Sequence, residues 1–446
     1  MTKVFPFRAL RYDPARVALQ QVVTQPYDKI TPELQEAYYA RDPHNLVRIE
    51  LGKKQHDDSP VHNIYTRAAK CLQEWRRVGI MRREAQPSFY LYTQTFSVPG
   101  TGEQLERRGF IGLGQLEDYR AGVIFRHEQT LARPKADRLE LLRATHAHTG
   151  QLFMVYSDPQ AEVEKLLSPS APPDIDVVDD YGVRHRVWDI RDSGVLREVS
   201  RAMQDKKLVI ADGHHRYETA LAYRNERREE ARIAASGPGR EKSGIAALAH
   251  EAPYERAMMT FFNMDSPGLV ILPTHRVVHG LASFNADTFL RGAAGYFEMA
   301  EVPGDLDARK ATELLRRAGE QGTSLLVLVA GRKFLFRAKP GAGLEFLHSL
   351  SPRQQDLDVV KLHKILLEGV LEISEEDIRE QKHLSYVRDA GEAMGKAREG
   401  ANIVFLMNPV TMAQVRDIAF AGDVMPQKST DFYPKLLSGL TIYALD

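Results

Sequence analysis

Asp212-Gly213-His214-His215-Arg216, with Glu218 close behind, sets two carboxylates, two imidazoles and a guanidinium beside a glycine. Those groups suit phosphate handling. A guanidinium offers a planar fork to phosphate oxygens, and an imidazole in the first turn of a helix is pushed toward its neutral form and can accept a proton or a metal. Glu218, one turn beyond His214, could orient that ring or ligate a cation. Each residue alone has a plain structural reading. Together they place polar groups where apolar ones would pack better.

The elements that must position them are readable from the same stretch. Lys206 to Ala211 predicts a short buried strand, Asp212 an N-cap, and Gly213 a tight turn free of Cβ clash, after which a helix begins at once. The free amides of Gly213, His214 and His215 and the helix dipole then suit an anion such as phosphate or carboxylate. A second charge-dense stretch runs from Val123 to Leu139 and contains His127, Glu128, Lys135, Asp137 and Arg138. It offers the cations and carboxylates that a nucleotide with Mg²⁺ requires. Weaker candidates are Thr274, His275 and Arg276, and Lys428, Ser429 and Thr430. His146 and His148 read as structural. Thr24 to Asp28 is a loop that sets a phenol beside a carboxylate, either lining a site or simply turning.

A chain of 446 residues exceeds a single core, so two or three subdomains are expected. Lys plus Arg and Asp plus Glu are equal at 60 each, so no global field favours nucleic acid or an anionic membrane. The single cysteine, Cys71, excludes an internal disulfide framework and multi-cysteine metal clusters and suits a reducing compartment. No apolar run reaches membrane-spanning length, and a cytoplasmic protein is expected, with a homodimer compatible with this composition.

Ser88 to Val98 and Arg108 to Leu116 predict a hairpin, Asn45 to Leu51 alternates like a strand, and Pro32 to Arg41, Val61 to Val78 and Lys135 to Thr145 predict helices. Leu325 to Val329 and Lys333 to Arg337 predict a second hairpin. Asp358 to Leu371 predicts one amphipathic helix, and Ser236 to Gly239 an exposed loop. The glycines of Phe110 to Gly114 lack the Gly-Lys-Ser/Thr ending of a phosphate loop. The fold expected is α/β (α+β), with a core domain over 1–280, an α+β subdomain over 281–350 and a C-terminal α/β segment over 351–446 packing back on the core.

The run Ala-Asp-Gly-His-His-Arg-Tyr-Glu-Thr-Ala resembles, with Arg-His-Glu-x-Thr-x-x-x-Pro-Lys-x-Asp-Arg-Leu before it and Pro-Thr-His-Arg and Met-Pro-Gln-Lys-Ser-Thr after it, a widespread prokaryotic family known as domain-of-unknown-function family 1015. More locally, Asp212-Gly213-His214-His215-Arg216 is similar to the Asp-Gly-His-His-Arg of free-serine kinases in the ParB and sulfiredoxin superfamily. That resemblance implies a ParB/sulfiredoxin-like nucleotide-binding core and direct roles for Asp212 and His215. The reactive cysteine of sulfiredoxin matches His214 here, so sulfinate repair is not implied. The leading expectation is a nucleotide-dependent phosphotransferase acting on a small hydroxyl metabolite, plausibly free serine, with ATP or ADP and Mg²⁺ as cofactors. In it Asp212, His215 and Glu218 are catalytic, and Gly213, His214, Arg216, His127, Lys135, Asp137 and Arg138 bind the nucleotide. One alternative is a metal-dependent hydrolase using His214, Glu218 and a further histidine such as His127 or His275. The other is a non-catalytic nucleotide-binding switch.

Overall fold

The computed structural model describes residues 1–129, 132–169, 171–235 and 251–446; the loop expected at Ser236 to Gly239 and Thr130 of the second charged stretch lie outside them. Two compact units form: one from residues 1–125, 130–269 and 434–446, the other from 126–129 and 270–433.

The first unit is built on an open mixed sheet. Its strands are β1 (Val4–Phe5), β2 (Phe89–Ser97), β3 (Gln104–Gln115), β4 (Ile124–Phe125), β5 (Leu152–Tyr156), β6 (Ile175–Val178), β7 (Arg184–Ile190), β8 (Leu208–Asp212) and β9 (Arg256–Asn263). Their spatial order is β4-β8-β5-β9-β3-β2-β7-β6, with β1 beside β3. The expected hairpin is β2 and β3, in antiparallel register from Tyr90 opposite Ile111 to Ser97 opposite Gln104. Leu208 to Ala211 are all buried, and β8 is paired on both edges, with parallel β4 and antiparallel β5. A strand covered on both faces reads as a continuous apolar run.

Three helices of this unit matter for the site: α1 (Val47–Glu50), α2 (Ala132–Thr145) and α3 (His214–Ala235). The stretch expected to be a strand, Asn45 to Leu51, is instead the single turn α1, started by Asn45 Oδ1 accepting the Val47 N–H at 3.0 Å. Leu46, Val47, Ile49 and Glu50 are all buried, so alternation carried no information about period there. Cys71 is half-buried, and burial raises its thiol pKa.

The second unit has its own six-stranded sheet. With β10 (His275–Val278), β11 (Phe297–Glu301), β12 (Ser324–Val329), β13 (Arg332–Ala338), β14 (Leu384–Val387) and β15 (Ile403–Met407), its order is β11-β13-β12-β15-β10-β14. The expected boundary at residue 350 therefore cuts through one sheet: β15 pairs with both β10 and β12. The expected helix from Asp358 also divides, a turn at Asp358–Lys361 passing into a π-helix over Leu362–Val370.

Two histidines make the fold acid-sensitive. Burial pushes His148, stacked on Tyr443, down to about 4, and burial followed by the Arg276 charge does the same to His275. Both are neutral in the folded chain and charge below about 6.5 when unfolded. Their stability is thus whole above that pH and is lost as pH falls toward 4, each withdrawing on the order of 3 kcal/mol. Calorimetry should show the unfolding temperature dropping between pH 6.5 and 4, with a shallower drop in His148→Phe.

Candidate functional site

The bulge that aims Asp212 lies at the end of β8. The register of β8 on β5 runs from Ile210 opposite Met154 directly to Asp212 opposite Phe153, so Ala211 is the extra residue. Such a bulge re-aims the next side chain. Gly213 then has φ +96°, and a Cβ there would sit 3.1 Å from Arg216 Nε, Arg216 Nη2 and Leu152 Cδ2. The left-handed backbone favours glycine, and a Cβ would press on the ends of the Arg216 and Leu152 side chains. The Gly213 carbonyl accepts the Tyr217 N–H at 2.9 Å, which makes Gly213 the residue at the N-cap position of α3. Asp212, expected as that cap, is the last strand residue, and its carboxylate is turned to side chains instead.

Those side chains are two cations. Arg216 Nη2 donates to Asp212 Oδ2 at 3.3 Å, and Lys435 Nζ lies 3.8 Å from Oδ1. Burial alone would raise the Asp212 pKa; the charges of Lys435, Arg216, Lys29 and His214 overcome it and hold the carboxyl well below the usual range. The Asp212 side chain is still 26% exposed, so it is reachable. Arg216 also donates to the Gln151 carbonyl through Nη1. A Cβ on Gly150 would meet Arg216 Nη1 at 3.2 Å and Glu50 Oε1 at 3.4 Å, which places Arg216 and Glu50 together over that glycine.

Glu50 is buried and ties down the neighbouring wall. Its Oε2 accepts the Thr149 hydroxyl, and its Oε1 lies 3.8 Å from Arg138 Nη1, which also donates to the Glu50 carbonyl at 2.8 Å. Arg138 stacks over Tyr27 at 4.2 Å, and Arg138 Nε and Nη2 donate to Asp137 Oδ2 at 2.9 and 2.6 Å. Burial, then Asp28, pushes Tyr27 up to about 12, against the pull of Arg216 and Arg138. Glu50, Arg138, Thr149, Gly150, Leu152 and Arg216 line a cleft of about 40 Å³.

Helix α3 presents these groups because its other side is committed to the core. Tyr217 and Ala220 are buried, Tyr217 Oη donates to the Glu117 carbonyl at 2.6 Å, and Arg224 Nη1 donates to that of Leu116 at 2.7 Å. His214 is buried and His215 half-buried. Glu218 Oε2 takes the Lys135 ammonium at 2.8 Å, joining α3 to α2. Asp137 Oδ1 accepts the Tyr65 hydroxyl at 2.9 Å.

Asp212, Gly213, His214, His215, Arg216 and Arg138 thus belong to one neighbourhood of the first unit, with Lys135 and Glu218 paired alongside. His127 belongs to the second unit, where its Nε2 is 2.8 Å from Thr430 Oγ1 and its carbonyl accepts the Met425 N–H at 2.8 Å, while Glu128 Oε1 takes the Thr430 amide and hydroxyl. Two weaker candidates meet instead in the second unit: Arg276 Nη2 donates to the Lys428 carbonyl at 3.1 Å, and Ser429 Oγ to that of Pro426 at 2.6 Å. His275 Nδ1 accepts the Met407 N–H at 3.2 Å, so it braces the sheet. His146 Nδ1 is 2.8 Å from Tyr223 Oη, in keeping with a structural role.

Sequence reasoning missed Lys29, Glu50, Thr149, Gln151 and Lys435. The Tyr27-Asp28 pair pointed at Lys29 as the next residue. Glu50 was hidden by the mistaken strand. Lys435 lies just beyond the Met-Pro-Gln-Lys-Ser-Thr run, with no local pattern to connect it to Asp212.

An open mixed α/β sheet with a charged helix start at a bulged strand end defines the class of protein. The chain belongs to the family described as protein of unknown function (DUF1015), whose model matches residues 4–360. No curated protein matches it. Among solved structures it is distantly similar to a free serine kinase variant in complex with ADP, at 14% identity and a TM-score of 0.34, covering 70% of this chain and 84% of that one. A conserved hypothetical protein from Pyrococcus furiosus shows 14% identity and a TM-score of 0.33, with 70% and 87% covered. For C-terminally truncated SbnI from Staphylococcus aureus the values are 8%, 0.33, 74% and 85%. Among the described residues, no helix is long and apolar enough to cross a membrane.

Proposed function

We propose that this chain is a nucleotide-dependent phosphotransferase of the cytoplasm, built on a ParB/sulfiredoxin-like core, that phosphorylates a small hydroxyl metabolite, with free serine the first acceptor to test. The observation that carries the reading is Asp212, held between Arg216 and Lys435 at a helix start whose left-handed turn favours glycine. Two cations on one carboxylate leave positive charge at the free amides of α3, where phosphates bind well. In this reading the amides of His214 and His215 and the charges of Arg216 and Lys435 hold the phosphates of ATP or ADP. Arg138, fixed by Glu50, Asp137 and Tyr27, forms the adjoining wall. His215 assists phosphate binding or moves the acceptor proton.

Asp212 is the reachable carboxylate at this helix start, and with Arg216 and Lys435 flanking it at 3.3 and 3.8 Å, Mg²⁺ would be held there only together with the nucleotide phosphates that draw those cations. Bound there with the nucleotide, Mg²⁺ would supply charge neutralisation of the phosphates. Glu218 is tied to Lys135 at 2.8 Å, a closer pair than either cation makes with Asp212, and either carboxylate would place the acceptor hydroxyl in this reading.

The hydrolase reading has less behind it: among the described residues no three His, Cys, Asp or Glu side chains group as metal ligands. The test is purified protein with ATP or ADP, Mg²⁺ and an amino-acid panel, read by ³¹P NMR and mass spectrometry. A phosphorylated hydroxyl product is expected. Neither nucleotide binding nor product would overturn the proposal, and tight binding without product from any acceptor would favour the non-catalytic switch.

A further inference from the structure

The stretch from Thr24 to Asp28, expected either to line a site or simply to turn, is anchored in the first unit beside the segment that presents Lys435. Thr24 is paired with Ser438: its N–H donates to the Ser438 carbonyl at 3.1 Å, and its carbonyl accepts the Ser438 N–H at 2.9 Å. Gln25 is pinned twice, its N–H donating to Tyr38 Oη at 3.2 Å and its Nε2 to Asp179 Oδ2 at 2.8 Å. Pro26, at φ −61°, then leads into the 3₁₀ turn Tyr27–Lys29, closed by the Lys29 N–H on the Pro26 carbonyl at 2.8 Å.

This anchoring holds Tyr27 at the start of α3. Its ring packs against the Arg138 guanidinium at 4.2 Å, and Arg138 is buried and fixed by Glu50 and Asp137. The charges that act on the phenol are those of the site, Arg216, Arg138 and Asp212, together with Asp28 on the same turn. Lys29, the last residue of the turn, acts on Asp212.

One group of the turn is left open. The Tyr27 hydroxyl makes no hydrogen bond among the described residues, and its oxygen is not sealed from solvent. Other phenols of this unit are spent on the protein: Tyr38 and Tyr65 bond carboxylates, Tyr90 and Tyr217 carbonyls, and Tyr92 a ring nitrogen of His185. Burial, then the Asp28 charge, keeps the proton on the Tyr27 oxygen at neutral pH, so the hydroxyl is a donor there and not a base. An open donor beside a guanidinium at a helix start matches an anionic oxygen.

On the phosphotransfer reading, on which it rests, we propose that the Tyr27 hydroxyl donates to an oxygen of the phosphate held by Arg216, which makes Tyr27 a substrate-binding residue of that site. The stack on Arg138 sets where the hydroxyl stands, and the anchored turn keeps it there. Tyr27 orients the phosphate and passes no proton.

The test is Tyr27→Phe in the full chain, titrated by calorimetry beside the wild type with Mg²⁺ and ADP or ATP, whichever the wild type binds more tightly. Phenylalanine keeps the ring on Arg138 and removes only an atom without a protein partner, so the unfolding temperature should match that of the wild type. The nucleotide should bind about 10-fold or more weakly, the scale of a hydrogen bond to a charged group. At least one ³¹P signal of the bound nucleotide should differ between the two proteins. Equal affinity, a loss of affinity with every bound ³¹P signal unmoved, or a loss that follows a fallen unfolding temperature would each overturn the assignment. A wild-type protein that binds neither nucleotide would overturn the phosphotransferase reading itself, and the assignment of Tyr27 falls with it.

Discussion

Asp212→Asn is expected to lower kcat for phosphotransfer by about 10²–10³-fold, the cost of losing one preorganised charged group from a transition-state site. The substitution keeps the shape and the contact with Arg216, so the loss is of charge alone. Removing the anion frees Arg216 and Lys435 for phosphate, and the KM for nucleotide should stay level or fall as kcat collapses. A misfolded fraction would lower apparent kcat at unchanged KM, so the folded fraction is measured by circular dichroism and kcat from ³¹P-detected kinetics is expressed per folded chain. Unchanged kcat would remove Asp212 from the chemistry. The pH profile adds an independent check. Because the folded-state pKa is depressed below the unfolded value near 3.9, Asp212 is fully ionised from neutrality to well under pH 5. It therefore contributes no acid limb to the rate in that range. The stability it lends is present above the unfolded pKa and lost as pH falls through the folded one.

Why Asp212 was legible and Lys435 was not follows from where each gets its position. The strand, the glycine and the helix that place Asp212 are contiguous, and each leaves a local signature: a buried apolar run, a residue free of Cβ, and a face of Tyr217, Ala220 and Arg224 spaced for the core. The same locality made the two hairpins readable. Lys435 reaches Asp212 only because the chain returns to the first unit at Pro434, and no periodicity encodes a return. His127 is near Lys135 in sequence, yet its backbone is bridged to Met425 in the second unit, a pairing that no local pattern announces. Glu50 was lost because one helical turn, with Val47, Ile49 and Glu50 buried, is too short to show a period. The bulge at Ala211 is a register property of two strands and exists only once both are paired.

The residue that brings Lys435 to the site is expected to be Arg107, and Arg107→Met tests it. Arg107 is 1% exposed, clasped between the rings of Phe153 and Phe262 at 4.6 and 4.7 Å. Its Nη2 donates to the Pro434 carbonyl at 2.6 Å and its Nε to Gln94 Oε1 at 3.1 Å, while Gln94 Nε2 donates to the Lys435 carbonyl at 2.8 Å. One guanidinium and one amide therefore hold the backbone on both sides of the peptide that presents Lys435. Burial drives the Arg107 pKa down to about 9, a measure of how much the charge costs in place. Methionine fills similar apolar volume and removes that cost, while two acceptors lose a donor at about 1–3 kcal/mol each. The opposing terms leave a modest net loss of about 2 kcal/mol, and the chain should remain folded at 25 °C. Turnover should suffer more than stability, falling about 10²-fold, since a shift of about 1 Å in a charged group is worth that much in rate. A variant that loses stability and activity in proportion, with activity restored wherever it is folded, would make Arg107 a core residue only. A folded variant with impaired turnover would tie Lys435 to the reaction.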